Sequence, residues 1–235
     1  MAEPSPLKTG GMVAAKPPLS RREAGKAERR GRIIQAARDL IRETGNAGLS
    51  MRALASRAGV SLATPYNLFG SKRAIALAVL NDVREFQNRF AHAGSSEPLE
   101  RLFAALDIAV GFYIEDPPFY RTLWAAVFDP SDDVRREIYN GKRDEFWQSL
   151  VAATAKAGVL APNVDVELLF RALDRSFASV MLAWVVGELT SEQLAPTVRY
   201  SYALALKGAA APGWRGRLDA KLLENQTLIL AAARA

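Results

Sequence analysis

Catalysis through a thiol, an imidazole or a bound metal has almost nothing to work with in this chain. Its 235 residues include no Cys and a single His, His92. A thiol nucleophile, a disulfide, a Cys-containing metal site and a multi-histidine zinc site are thereby excluded, and a Ser-His-Asp triad could draw on one imidazole only. His92 falls beside Gly94 at the end of a helical pattern, where exposure or a contact with the helix C-terminus accounts for it without chemistry. The residue types favour binding of a polyanion instead. Met1 to Arg73 carry 14 basic and 5 acidic residues, whereas Ala74 to Ala235 carry 17 basic and 20 acidic. Such an asymmetry suits a nucleic-acid-binding module joined to a second domain, and a basic segment that only confers solubility would show it too.

Inside the basic part, the informative spacing runs from Ser50 to Val60. It puts Leu54 and Ala58 on one helix face, small Ala55 where a second helix can cross, and Gly59 at a sharp turn. Ser61 then stands where a following helix needs a cap. Helix, tight turn and helix is the order of a helix-turn-helix, in which the second helix enters the major groove while the first crosses the backbone. An ordinary helical hairpin shares the Ala-x3-Gly spacing.

The surrounding elements must hold that motif. Met1 to Ser20 contain Pro4, Pro6, Pro17 and Pro18 without apolar periodicity and read as a disordered basic arm. From Arg21 to Thr44, Ile33, Ile34, Ala37, Leu40 and Ile41 recur at three- and four-residue steps, which predicts an amphipathic helix ending near Gly45. Two short helices fit Ser50 to Lys72, and Ser71 can cap a longer one reaching about His92. Beyond Gly94 the spacing predicts six more, over about Glu97–Glu115, Pro118–Phe128, Asp132–Ala157, Asp165–Glu188, Glu192–Ala209 and Trp214–Ala233. No segment alternates as a strand would. The expected fold is all-α, with about ten helices: a disordered arm over 1–20, a helix-turn-helix domain over 21–75 and a second helical domain over 76–235, for which the family resemblance described next implies ligand binding and dimerisation. No apolar run approaches the roughly 18–20 residues that span a bilayer, and Met1 to Ser20 lack a signal peptide's apolar segment, so a cytoplasmic location is expected.

The stretch from Leu49 to Lys72, with its Val-Ser-x-x-Thr-x-Tyr-x-x-Phe-x-Ser-Lys pattern, resembles the DNA-binding domain of TetR/AcrR-family transcriptional regulators. The likeness extends back through Ile33 to Gly45 and covers roughly residues 25 to 80. It implies that Ser61 to Asn67 form the recognition helix, with Leu62, Ala63, Thr64 and Asn67 toward the bases. Tyr66 and Lys72 are then phosphate contacts, and Ser50 and Arg52 lie near the groove edge. Val60, Leu68 and Phe69 read as packing, and Arg21, Arg22, Lys26, Arg29 and Arg30 as either a backbone-tracking set or a solvated face. Pro65 departs from the family's usual pattern. With Ser61 as the cap it removes the first intrahelical hydrogen bond, and with Thr64 as the cap it takes the favoured first position.

In the remainder, aromatic residues concentrate between Phe103 and Trp184. Most are core, yet an apolar pocket in a helical domain is the usual small-molecule site, and Phe103, Asp107, Tyr120, Trp124, Phe128, Trp147 and Phe177 are candidates to line it. Asp107, polar on an apolar face, either contacts a ligand or pairs with an arginine such as Arg121 or Arg175. Asp174 and Arg175 pose the same choice. Ser176, Ser179, Ala183 and Gly187 make a small-residue stripe, and Leu194, Val198, Ser201 and Ala205 a partner stripe. The resemblance implies a homodimer built on these two helices, although the stripes could equally pack within the chain. The expected function is a ligand-responsive repressor bound to a palindromic DNA operator and released by a small, largely apolar effector, with no enzymatic activity, metal or cofactor. The alternatives are a helical enzyme with incidental DNA binding, using Asp107, Glu115 or His92, and a constitutive regulator with a filled core.

Overall fold

Three- and four-residue apolar spacing yields helices throughout the computed structural model, which describes residues 20–44, 50–80, 84–94, 96–128 and 142–234. The N-terminal elements are α1 (Arg21–Thr44), α2 (Met51–Arg57), α3 (Ala63–Phe69), α4 (Lys72–Leu80) and α5 (Arg84–Ala91). They are followed by α6 (Pro98–Glu115), α7 (Pro117–Phe128), α8 (Lys142–Lys156), α9 (Val166–Val185), α10 (Ser191–Ala209), a 3₁₀ turn (Pro212–Trp214) and α11 (Arg215–Ala232). Among the described residues no strand forms, and β pairing is limited to a bridge between Leu160 and Ala210. No helix among them is long and apolar enough to cross a membrane.

The caps explain many of the starts. Ser71 Oγ accepts from Ala74 N at 3.1 Å, Asp165 from Leu168 N at 2.9 Å, and Thr190 and Gln193 form a reciprocal capping box. Several expected boundaries move. The helix read from Ser71 to about His92 is described as α4 and α5, with 81–83 outside the described residues. The helix expected from Asp132 is described only from Lys142, and Gly45 and the arm over 1–19 also lie outside. α9 stops at Val185 rather than near Glu188, because Gly187 turns the chain with φ at 85°.

Burial organises these helices into two cores. One gathers Ile33, Ile41, Leu54, Ile75 and Val79 from α1, α2 and α4, together with Phe119 and Leu123 from α7. The other is built by α6 to α11 around Leu102, Leu106, Trp124, Leu173, Met181, Trp184 and Leu206. α4 and α7 serve both. Ile75 and Ala76 face the first core and Leu77 the second, while Phe119 and Leu123 face the first and Trp124 and Val127 the second. Polar ties reinforce the junction: Arg42 meets Asp116 at 3.0 Å and lies over the Phe119 ring, and Arg73 donates to the Val127 carbonyl at 3.2 Å.

Candidate nucleic-acid interface and effector cavity

The turn between α2 and α3 is built from small residues. Ser50 caps α2, its hydroxyl accepting from Ala53 N at 3.4 Å, and α2 buries Met51, Leu54 and Ala55 against the first core. Gly59 then takes φ at 62°, a left-handed conformation that a Cβ disfavours, and Val60 N donates back to the Ala55 carbonyl at 3.0 Å. A 3₁₀-type bond from Thr64 N to the Ser61 carbonyl leads into α3, and the Ser61 and Thr64 hydroxyls share a hydrogen bond at 2.8 Å. Neither Ser61 nor Thr64 is the cap. Leu62 is, so Pro65 sits at the third helical position, where no intrahelical acceptor exists for an N–H. Its ring is buried and its missing donor breaks no helix bond.

α3 therefore presents two faces. Pro65 is buried and Leu68 and Phe69 pack against the first core, whereas Leu62, Ala63, Tyr66 and Asn67 point outward. Leu62 is 48% exposed and Tyr66 49%. Ser50, Arg52, Ser61 and Lys72 are also exposed, while Thr64 is half-buried with its hydroxyl engaged. Arg30 is the positioning residue missed in the sequence. Its Nη1 donates to the Leu68 carbonyl at 3.0 Å and its guanidinium covers the Phe69 ring at 4.2 Å, tying α1 to the end of α3. Arg57 meets Glu43 at 2.6 Å, and that hydrogen bond holds the Glu43 carboxyl below its ordinary range.

A cavity of about 790 Å³ opens in the second core between α7, α8 and α9. Of the candidates, Trp124, Phe128 and Phe177 line it, beside Phe170, and so do Arg143, Asp144, Asp174 and Arg175. The other four candidates do not. Phe103 is buried under Lys221, Tyr120 packs against Tyr113 and Phe119, and Trp147 packs against Phe86 and Phe146. Asp107 pairs with Arg199, not with Arg121 or Arg175, and both partners are partly exposed. Arg143 instead holds the cavity's charge, 3.3 Å from Asp144 and 3.5 Å from Asp174. Desolvation outweighs its attraction and raises both carboxyls above their usual range, and burial pushes the Tyr113 hydroxyl up to about 12.

The small-residue stripes divide. Leu194 and Val198 lie in the chain's own core, which removes them from any surface, and Ser176, Ala183, Ser201 and Ala205 are half-buried. Ser179 and Gly187 are exposed. The outward face of α9 runs instead through Leu168, Ala172, Arg175, Ser179 and Leu182 to Val186, with Leu204 exposed on α10. A helix turns 100° per residue, so this face and the small-residue stripe are adjacent rather than coincident.

Residues 33–79 match the sequence profile of bacterial regulatory proteins of the tetR family. Comparison with curated proteins finds no match. Among solved structures, TylP, a tetR regulator from Streptomyces fradiae, is 22% identical with a TM-score of 0.60, over 91% of this chain and 93% of its own. Thermus thermophilus FadR, a transcriptional repressor in complex with lauroyl-CoA, is 22% identical with a TM-score of 0.62, over 78% and 97%. RolR, in complex with resorcinol, is 15% identical with a TM-score of 0.60, over 88% and 96%.

Proposed function

Residues 33–79 match the profile of bacterial regulatory proteins of the tetR family and the chain shares the fold of its structural neighbours, and on that premise we propose a homodimeric, ligand-responsive repressor. The observation that carries the reading is the pairing of an outward helix face, Leu62, Ala63, Tyr66 and Asn67, with a cavity whose wall helix also builds the DNA-binding core. Tyr66 and Lys72 contact phosphates, and Arg52 reaches a phosphate or guanine at the groove edge. From Leu62 to Asn67 no Arg or Lys is present, so the half-sites lean on adenine edges met by Asn67 and thymine methyls met by Ala63 and the Thr64 methyl.

The effector enters beside Trp124, Phe128, Phe170 and Phe177. Because Arg143, Asp144 and Asp174 share that space, it carries a polar group as well as an apolar body, which revises the largely apolar molecule expected from the aromatic residues alone. α7 relays its arrival. Trp124, Val127 and Phe128 line the cavity, and one and two turns earlier on the same helix Phe119 and Leu123 pack in the DNA-binding core. An effector that prefers the conformation with wrongly spaced recognition helices shifts the population toward it, and a coupling of about 1–3 kcal/mol changes operator affinity roughly 5- to 150-fold. The outward face of α9, with Leu182 and Val186, packs on a second copy, and the resulting two-fold matches a palindrome.

Selection of bound fragments from a genomic DNA library tests this reading. A shared palindrome released by a small molecule supports it. Uniform retention of all sequences, or turnover of candidate compounds without sequence-specific retention, overturns it.

A further inference from the structure

α1 starts well before the core that it serves. Its buried residues begin at Ile33, so the turns from Arg21 to Arg32 extend along about 18 Å of surface. The start is nevertheless built: Ser20 N donates to Glu23 Oε2 at 2.9 Å, and Glu23 N donates to Ser20 Oγ at 3.3 Å, a reciprocal cap. Arg22, Lys26 and Arg29 follow one another at four- and three-residue steps, and the same stripe runs on into Ile33 and Ala37, the face that packs on the DNA-binding core. Arg30 fixes the direction of that face, because its contacts with the Leu68 carbonyl and the Phe69 ring set this side of α1 over the end of α3.

The stripe works against its own helix. Arg22, Lys26 and Arg29, three and four residues apart, repel, and Arg22, in the first turn, also meets the positive end of the helix dipole. Among the described residues, Arg22, Lys26 and Arg29 have no ionic or hydrogen-bonded partner, and all three are exposed. A polyanion from outside relieves both penalties. We propose that Arg22, Lys26 and Arg29 are a second DNA contact, in which the first three turns of α1 follow phosphates flanking the half-site that α3 reads. The proposal rests on the DNA-binding reading and extends its footprint beyond the groove entered by α3.

The test uses the full chain and the duplex recovered by genomic selection, prepared with about one helical turn of flanking DNA on each side and again without it. Lys26→Gln and Arg21→Gln remove the same charge one turn apart on different faces of α1. On the long duplex, Lys26→Gln should weaken binding on the order of tenfold at 0.1 M salt and make log affinity against log salt shallower by about 1.8, about 0.9 for each subunit of the dimer, and Arg22→Gln/Lys26→Gln by about twice that. Arg21→Gln should leave the slope at the wild-type value, and trimming the flanks should abolish the difference between wild type and the double variant. Equal losses for Lys26→Gln and Arg21→Gln, or an unchanged slope in the double variant with helical circular dichroism intact, would overturn the proposal while leaving α3 as the reader. Failure of the wild-type chain to retain any duplex overturns the DNA-binding reading itself.

Discussion

Tyr66 and Lys72 are positions proposed to matter to binding and little to folding. Both side chains are exposed beside the outward face of α3, so neither contributes appreciably to the core. Tyr66→Phe and Lys72→Ala should weaken binding to every DNA sequence, with the Lys72 variant also flattening the salt dependence by about one counterion per subunit. Filter binding across a salt series measures both effects, and an unchanged slope for Lys72→Ala would remove it from the interface. Asp107 is the opposite case. Read as a polar residue on an apolar helix face, it could have held a buried arginine, whose loss costs on the order of 3–5 kcal/mol. Its partner is Arg199, and with both groups partly open to solvent the pair is screened. Asp107→Asn should therefore lower stability by less than about 1 kcal/mol in urea unfolding and leave operator binding and release intact. A loss of several kcal/mol would show that the pair is desolvated.

At the scale of elements, the turn and not the helices sets the geometry of the reader. α2 and α3 are each two turns long, too short to hold their crossing without tertiary support, and Gly59 is the hinge that aims one past the other. A Cβ at Gly59 meets only Arg32 at 3.6 Å, an ordinary contact, so the cost of Gly59→Ala is backbone strain from φ at 62°, about 1–2 kcal/mol. The variant should fold with a modestly lower melting temperature and lose DNA affinity by more than its stability loss accounts for, since the turn opens. Calorimetry paired with binding to the selected duplex measures this, and unchanged affinity would show that the turn tolerates a different path. α7 has the complementary role of joining cores: Phe119 and Leu123 face the first and Trp124 and Val127 the second, so its displacement cannot be confined to either.

For the whole molecule, the proposed dimer rests on the exposed apolar face of α9. Leu168 and Val186 are 64% and 59% exposed, at positions spaced like a helix-packing seam. Leu182→Glu/Val186→Glu should give a monomer by light scattering where the wild-type chain gives twice its mass, and operator affinity should collapse because two half-sites no longer bind as a unit. Since both side chains lie largely outside the core, unfolding of the monomer itself should change little. A double variant that remains dimeric would place the interface elsewhere.

The helical class, the start of α4 at Ser71 and the position of the turn at Gly59 were legible in the sequence. Each depends on residues within a few positions of one another, and local spacing and cap chemistry decide such features. The start of α3 was not legible, because neither Ser61 nor Thr64 is its cap: Leu62 is, and the buried Pro65 takes the third helical position. Contacts between distant segments left no local signal. Nothing near Leu68 announces Arg30, nothing near Asp107 distinguishes Arg199 from Arg121 or Arg175, and Arg143 between Asp144 and Asp174 follows from the approach of α8 to α9. The aromatic residues were visible, yet whether each fills space or lines it depends on how neighbouring helices are rotated. A rotation of one residue, 100°, separates Leu194 in the core from a surface seam, and tertiary packing sets that angle.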